Sequence, residues 1–171
     1  MRNINWIIIH CSDSEWGDFY AIDKWHKDRG WKGCGYHYVI GNGYQTYEDY
    51  KNKRRMDSGF LQKGRADSEI GAHVLGMNSD SIGIVLIGRY DFTKNQFSVL
   101  ANLCCNLMDT YGLPVENILG HYECPTGKSQ GKTCPNFEMK FFRIRLKLYC
   151  HYKKLMKKLG RAFPPFIPIN H

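Results

Sequence analysis

The run S-I-G-I-V-L-I-G, from Ser81 to Gly88, constrains this chain more than any other segment. It is apolar without alternation and bounded by turn residues, which predicts a central strand buried on both faces. A second compact run rich in β-branched residues, Ile4 to His10, predicts another buried strand that ends at the polar turn Cys-Ser-Asp-Ser. Between them, Phe19, Ile22, Trp25 and His26 share one helical face over residues 18–29, and Gly30 is a natural stop. Tyr36 to Ile40 and Tyr44 to Tyr47 flank Gly41-Asn42-Gly43 and read as a hairpin, with Tyr36 and His37 on opposite faces.

The polar stretch 48–70 has little periodicity and reads as a surface excursion. Residues 91–111 carry apolar side chains at 3–4 spacing and predict a long helix that includes Cys104 and Cys105. The short stretch Ile118-Leu119-Gly120 delivers the chain to His121, and a glycine-containing loop runs on to Cys134. A final helix is expected over 137–159, followed by a Pro-rich, non-helical tail at 162–171. Strands interleaved with helices, together with a hairpin, indicate an α/β fold: a single domain over 1–161 with a central mixed β-sheet flanked by helices.

A length of 171 residues suits one such domain, and 43% hydrophobic with 14% aromatic residues excludes disorder as the main state. The net charge of +8 first admits a polyanionic partner such as nucleic acid. However, residues 137–161 hold nine Lys and Arg against the single anion Glu138, which accounts for the whole surplus. The rest is neutral, so no nucleic-acid partner is expected; the basic helix suits an anionic wall polymer or a membrane surface. Phe137, Phe141, Ile144, Leu148, Leu155 and Leu159 are expected to form the stripe by which that helix packs on the core. Trp6 to Ile9 is too short for a signal-peptide core, and no window approaches the roughly 18 apolar residues of a membrane span. The chain is therefore expected to be made in a cytoplasm without a signal peptide, as a monomer. Its seven cysteines, odd in number and scattered, are then expected to be reduced.

His10 at a strand end, His121 after a short strand and Cys134 in the following loop form a ligand set suited to zinc, with a fourth tetrahedral position left for water. Spacing alone leaves each of them either a ligand or an ordinary structural residue. Cys124, three residues after His121, competes with Cys134 for the thiolate role. Cys11 follows His10 along a strand and is expected to point to the other face. His26 and His37 read as structural.

Read in order, I-I-I-H-C-S, W-H-K-x-x-G-W, G-Y-H-Y-V-I-G-N-G, G-A-H-V-x-G-x-N-x-x-S-I-G-I-V-L-I-G, G-H-Y-E-C-P-T-G-K and K-T-C-P-N-F resemble the zinc-dependent N-acetylmuramoyl-L-alanine amidases. That family includes phage lysozymes of amidase type and peptidoglycan recognition proteins, and the resemblance covers residues 4–145. It implies that His10, His121 and Cys134 bind Zn2+, that Tyr36 and Lys132 are catalytic, and that His73 lines the substrate groove. The implied substrate is peptidoglycan, cut between N-acetylmuramic acid and L-alanine by an endolysin that reaches the cell wall after release or delivery. The alternative is a non-catalytic peptidoglycan-binding module on the same fold; some phage relatives also bind a polymerase. Three departures from the family pattern stand out: extra residues at 127–131, Asn136 where glycine is common, and an apparent insertion at 48–63.

Overall fold

The computed structural model describes residues 2–162, 164 and 166. A five-stranded sheet has the spatial order β3-β2-β4-β1-β5, built from β1 (Trp6–Cys11), β2 (Tyr38–Ile40), β3 (Leu61–Lys63), β4 (Ser81–Leu86) and β5 (Ile118–Gly120). Strand β4 runs parallel to both β1 and β2, β1 runs parallel to β5, and β3 closes the edge antiparallel to β2. Every residue of β4 is buried, as its unbroken apolar run requires. In an open sheet with parallel strands, side chains for chemistry gather outside the carboxyl ends. Strands β1 and β5 deliver His10 and His121 there.

Helices α1 (Phe19–Asp28), α3 (Lys94–Tyr111) and α5 (Met139–Lys158) pack around the sheet, and α2 (Tyr47–Lys51) and α4 (Pro125–Ser129) are short connectors. Their starts follow from capping. Asp18 accepts a hydrogen bond from the Ala21 amide, and Thr93 with Gln96 forms a reciprocal box at the head of α3. Gln96, fully buried, also donates to the carbonyl oxygens of Ile40 and Ile87, so the cap ties α3 to the last residue of β2 and to the residue that follows β4. Among the described residues, no helix is long and apolar enough to cross a membrane.

Four expectations from the sequence need correction. The partner of β2 is Leu61–Lys63, not Tyr44 to Tyr47. Asn42 uses its side chain on the Tyr44 amide and the Glu15 carbonyl, and Thr46 then begins α2 through a capping box with Asp49. The turn-forming residues thus end a strand and start a helix. Second, the stretch from His121 to Cys134 is not simply a loop, because it contains α4.

Third, α5 faces the core with Met139, Phe142, Leu146, Tyr149 and Cys150. The stripe expected to pack inward is largely outward, with Ile144, Leu148, Leu155 and Leu159 exposed. Fourth, Cys105 and Cys150 form a disulfide between α3 and α5, with Cα atoms 5.7 Å apart, so not all seven cysteines are reduced. Two facing helices bring the pair to bonding distance, which scattered sequence positions do not reveal.

The expected non-helical tail lies mostly outside the described residues. Within it, Phe166 is a core residue that packs on Phe142 and Tyr149 and accepts a hydrogen bond from Ser98.

Candidate active site

His10, the penultimate residue of β1, is buried, and His121 directly follows β5. Because the two strands are parallel neighbours, their ends place the two imidazoles with ring centroids 4.7 Å apart. Cys134 comes over the same strand end: its sulfur accepts a hydrogen bond from the Cys11 amide at 3.0 Å. One donor atom from each of His10, His121 and Cys134 lies within 4.8 Å of the other two, a group that could hold a metal ion.

His10 is oriented from behind. Its Nε2 lies 3.1 Å from Nδ1 of His73, whose Nε2 lies 3.4 Å from the Ser81 hydroxyl, which donates to the carbonyl of Met77. With the Ser81 proton committed to Met77, its oxygen accepts from His73 Nε2–H, and His73 Nδ1 accepts from His10 Nε2–H. That chain leaves the lone pair of His10 on Nδ1, the pattern by which an outer partner sets the tautomer of a ligating histidine. Burial pushes His10 and His73 well below the usual imidazole range, and neighbouring histidines add to the effect. Both rings are neutral near pH 7. Room for His73 comes from Gly83: a Cβ there would stand 2.5 Å from the imidazole.

His121 is held by its own short turn. Glu123 accepts from the Gly120 amide and makes a two-pronged ion pair with Arg143 of α5, at 2.7 and 2.8 Å. Burial alone would raise the Glu123 carboxyl, but the Arg143 hydrogen bonds hold it below the ordinary range. Gly127 of α4 approaches so closely that a Cβ would stand 1.9 Å from the His121 carbonyl oxygen. The glycines near His121 therefore serve a close backbone approach and are more than loop punctuation.

A cleft of about 590 Å3 opens beside the group and is lined by His10, Tyr36, His121, Lys132 and Cys134. The Tyr36 ring lies 5.1 Å from that of His10, and burial holds its phenol far above the usual range, so the hydroxyl keeps its proton. Lys132 is exposed at the cleft, and burial with the nearby Lys132 charge lowers His121.

His73 does not line this cleft. It is buried behind His10, because the segment after Gly71 tucks under β4 at Gly83. Cys11 departs from expectation in the opposite sense, since it lines the cleft and its thiol hydrogen-bonds to that of Cys134. As the last residue of β1, it lies where the Cys134 loop folds over the strand end. The bond to Cys11, followed by burial, pushes the Cys134 thiol far up, so a nearby cation is what would make it a thiolate.

Cys124 packs in the interior against Ile8 and Val74, away from the group. His26 and His37 accept backbone hydrogen bonds from Gly35 and Gly83 and serve the frame. Asn136 takes a positive φ of 64°, which explains how an Asn stands where glycine is common, and its side chain donates to the Arg89 carbonyl. Arg29 and Arg89 also reach the cleft. No spacing signal marks them; only the folded arrangement does.

Two imidazoles at the carboxyl ends of parallel strands and a thiol from the loop that folds over them, beside an open cleft, define a mixed α/β domain with a candidate metal centre. The N-acetylmuramoyl-L-alanine amidase family matches residues 1–137, and the chain belongs to that family of enzymes. The endolysin of Enterobacteria phage K11 is 31% identical over 142 residues, spanning 77% of this chain and 80% of that protein. The endolysin of Escherichia phage T7 is 31% identical over 145 residues, spanning 78% and 82%. Among solved structures, the Drosophila recognition protein PGRP-LB superposes with a TM-score of 0.54 at 26% identity, over 74% of this chain and 77% of that one. The amidase LysC from Clostridium intestinale shares the fold, with a TM-score of 0.62 over 94% of this chain and 88% of that one at 24% identity.

Proposed function

We propose that this chain is an endolysin that hydrolyses the amide bond between N-acetylmuramic acid and L-alanine in peptidoglycan, using a zinc ion held by His10, His121 and Cys134. The observation that carries this reading is the convergence of those three donor atoms within 4.8 Å beside an open cleft. Two neutral imidazoles and a thiolate suit zinc, and three protein donors leave one tetrahedral position free. When bound, zinc supplies a Lewis acid and a water acidified to a pKa of about 7.

The chain's own groups divide the remaining work. His73 and Ser81 hold His10 with Nδ1 toward the donor group, while the Cys11 amide aims the Cys134 sulfur. Tyr36, with its hydroxyl protonated, donates a hydrogen bond to the oxygen of the scissile carbonyl. Lys132 at the cleft offsets the negative charge that grows on the same oxygen, a contribution concentrated in the transition state. The intact thiol ligand favours hydrolysis over the binding-only alternative. The substrate lies in the cell wall, which the enzyme reaches after release or delivery.

Digestion of purified peptidoglycan with the metal-loaded protein, with and without a chelator, tests this function. New N-terminal alanine is expected only without chelator. No release by metal-loaded protein would sink the amidase assignment.

A further inference from the structure

The outer face of α5 has no role in the core or in the cleft. Ile144, Leu148, Tyr152 and Leu155 are 52%, 56%, 54% and 41% exposed, and the C-capping Leu159 is 57% exposed. Helical spacing sets these positions in one row along the outside of α5. The inward face is already complete, with Met139, Phe142, Leu146, Tyr149 and Cys150 buried and the Cys105–Cys150 disulfide closing it onto α3. The row is therefore not a core stripe awaiting a partner within the described residues.

Its charge is equally lopsided. Arg143 turns inward to Glu123, and Lys154 pairs with Asp109 of α3. Lys140, Lys147 and Lys158 are exposed along one flank of the apolar row, and Glu138 is the single anion in the whole of 137–161. The family match ends at residue 137, just before this helix begins.

We infer that the outer face of α5 docks flat on an anionic lipid bilayer, with Ile144, Leu148 and Leu155 entering the headgroup boundary and the lysine row meeting acidic headgroups. A one-sided apolar row beside a cationic flank, on a helix too charged to span, is the arrangement of an interfacial helix. A purely polymeric polyanion would satisfy the lysines but leave the apolar row in water. A second copy would bury that row only by setting two strongly cationic helices against each other. The lipid surface satisfies both halves at once.

Vesicle co-sedimentation of the full chain tests this inference. The wild type is expected to bind vesicles containing phosphatidylglycerol at least about tenfold more tightly than phosphatidylcholine vesicles, with the difference shrinking at high salt. Either Ile144→Gln/Leu148→Gln/Leu155→Gln or Lys140→Gln/Lys147→Gln/Lys158→Gln should lower that binding by about tenfold or more. Both should leave cleavage of a soluble muropeptide unchanged, which also certifies folding. A Leu148→Trp variant should shift its emission to the blue on anionic vesicles alone. Undiminished vesicle binding by the apolar variant overturns the inference, as does binding that follows a soluble polyanion equally well. Loss of a dimer in sedimentation, without loss of lipid binding, would instead identify the row as a contact between copies.

Discussion

His10 Nε2 stands 3.1 Å from His73 Nδ1, so a residue outside the cleft sets the orientation of a ring inside it. The consequence reaches further back, because Gly83 leaves the space that His73 fills. Replacing His73 with Phe should lower zinc affinity by about 10- to 100-fold while leaving the fold intact. Gly83→Ala should act in the same direction through displacement of His73. Metal content after equilibration against a buffered zinc series measures both. Wild-type affinity in His73→Phe would show that His10 needs no support from behind.

Cys134 and Cys124 separate cleanly in space, one beside the imidazoles and the other sealed against Ile8 and Val74. Cys134→Ser should lose stoichiometric zinc with little effect on thermal stability of the metal-free protein. Cys124→Ser should keep zinc but unfold more easily, by about 1–3 kcal/mol, because it buries a hydroxyl among apolar groups. Zinc analysis paired with thermal melts decides, and the reverse pattern would exchange the two roles.

Lys132 lines the cleft and is proposed to offer charge without holding metal. Lys132→Ala should keep zinc and substrate binding but reduce kcat by about a hundredfold to a thousandfold, the scale for removing one group that stabilises a developing oxyanion. Steady-state kinetics on a soluble muropeptide gives the split. A rise in KM with unchanged kcat would make Lys132 a binding residue only.

Acid should weaken the metal-free protein through His37. Burial pushes this imidazole from 6.5 down to about 4, with the Arg2 guanidinium, 2.9 Å from Nε2, also opposing its charge while the Glu69 carbonyl favours it. The unfolded chain therefore takes up the proton first as pH falls. Stability is full above about 6.5, declines as pH falls toward about 4, and levels off below that, a span on the order of 3 kcal/mol. His10 and His73, also depressed, contribute with the same sign. Urea midpoints of chelated protein between about pH 7 and pH 5 should fall, and fall less steeply for His37→Gln. Equal slopes would remove His37 as a source.

Much of this was legible before the fold. The apolar run at Ser81 admits only a doubly covered strand, and the ordered blocks around His10, His121 and Cys134 carry the family resemblance. What escaped did so for physical reasons. Leu61–Lys63 is an edge strand whose outer residues face water, so it has no apolar alternation to detect. Helix α5 is apolar on two arcs, and periodicity finds arcs without saying which one meets the sheet. The family resemblance of G-A-H-V implies a groove position for His73, whereas Gly71 and Gly83 leave the space in which it sinks beneath the strand.

The disulfide between Cys105 and Cys150 joins α5 to α3, the helix whose cap is bonded to Ile40 of β2 and to Ile87 just past β4. Packing alone would leave the grip on α5 to fluctuate. A covalent link makes it a function of the surrounding redox potential: looser where thiols are kept reduced, locked where they are oxidised. Because Arg143 of the same helix braces the turn that carries His121, the position of α5 is coupled to the end of the sheet that holds the candidate metal group. The hold of α5 on the strand ends that carry the candidate site is therefore firmer in an oxidising space than in a reducing one.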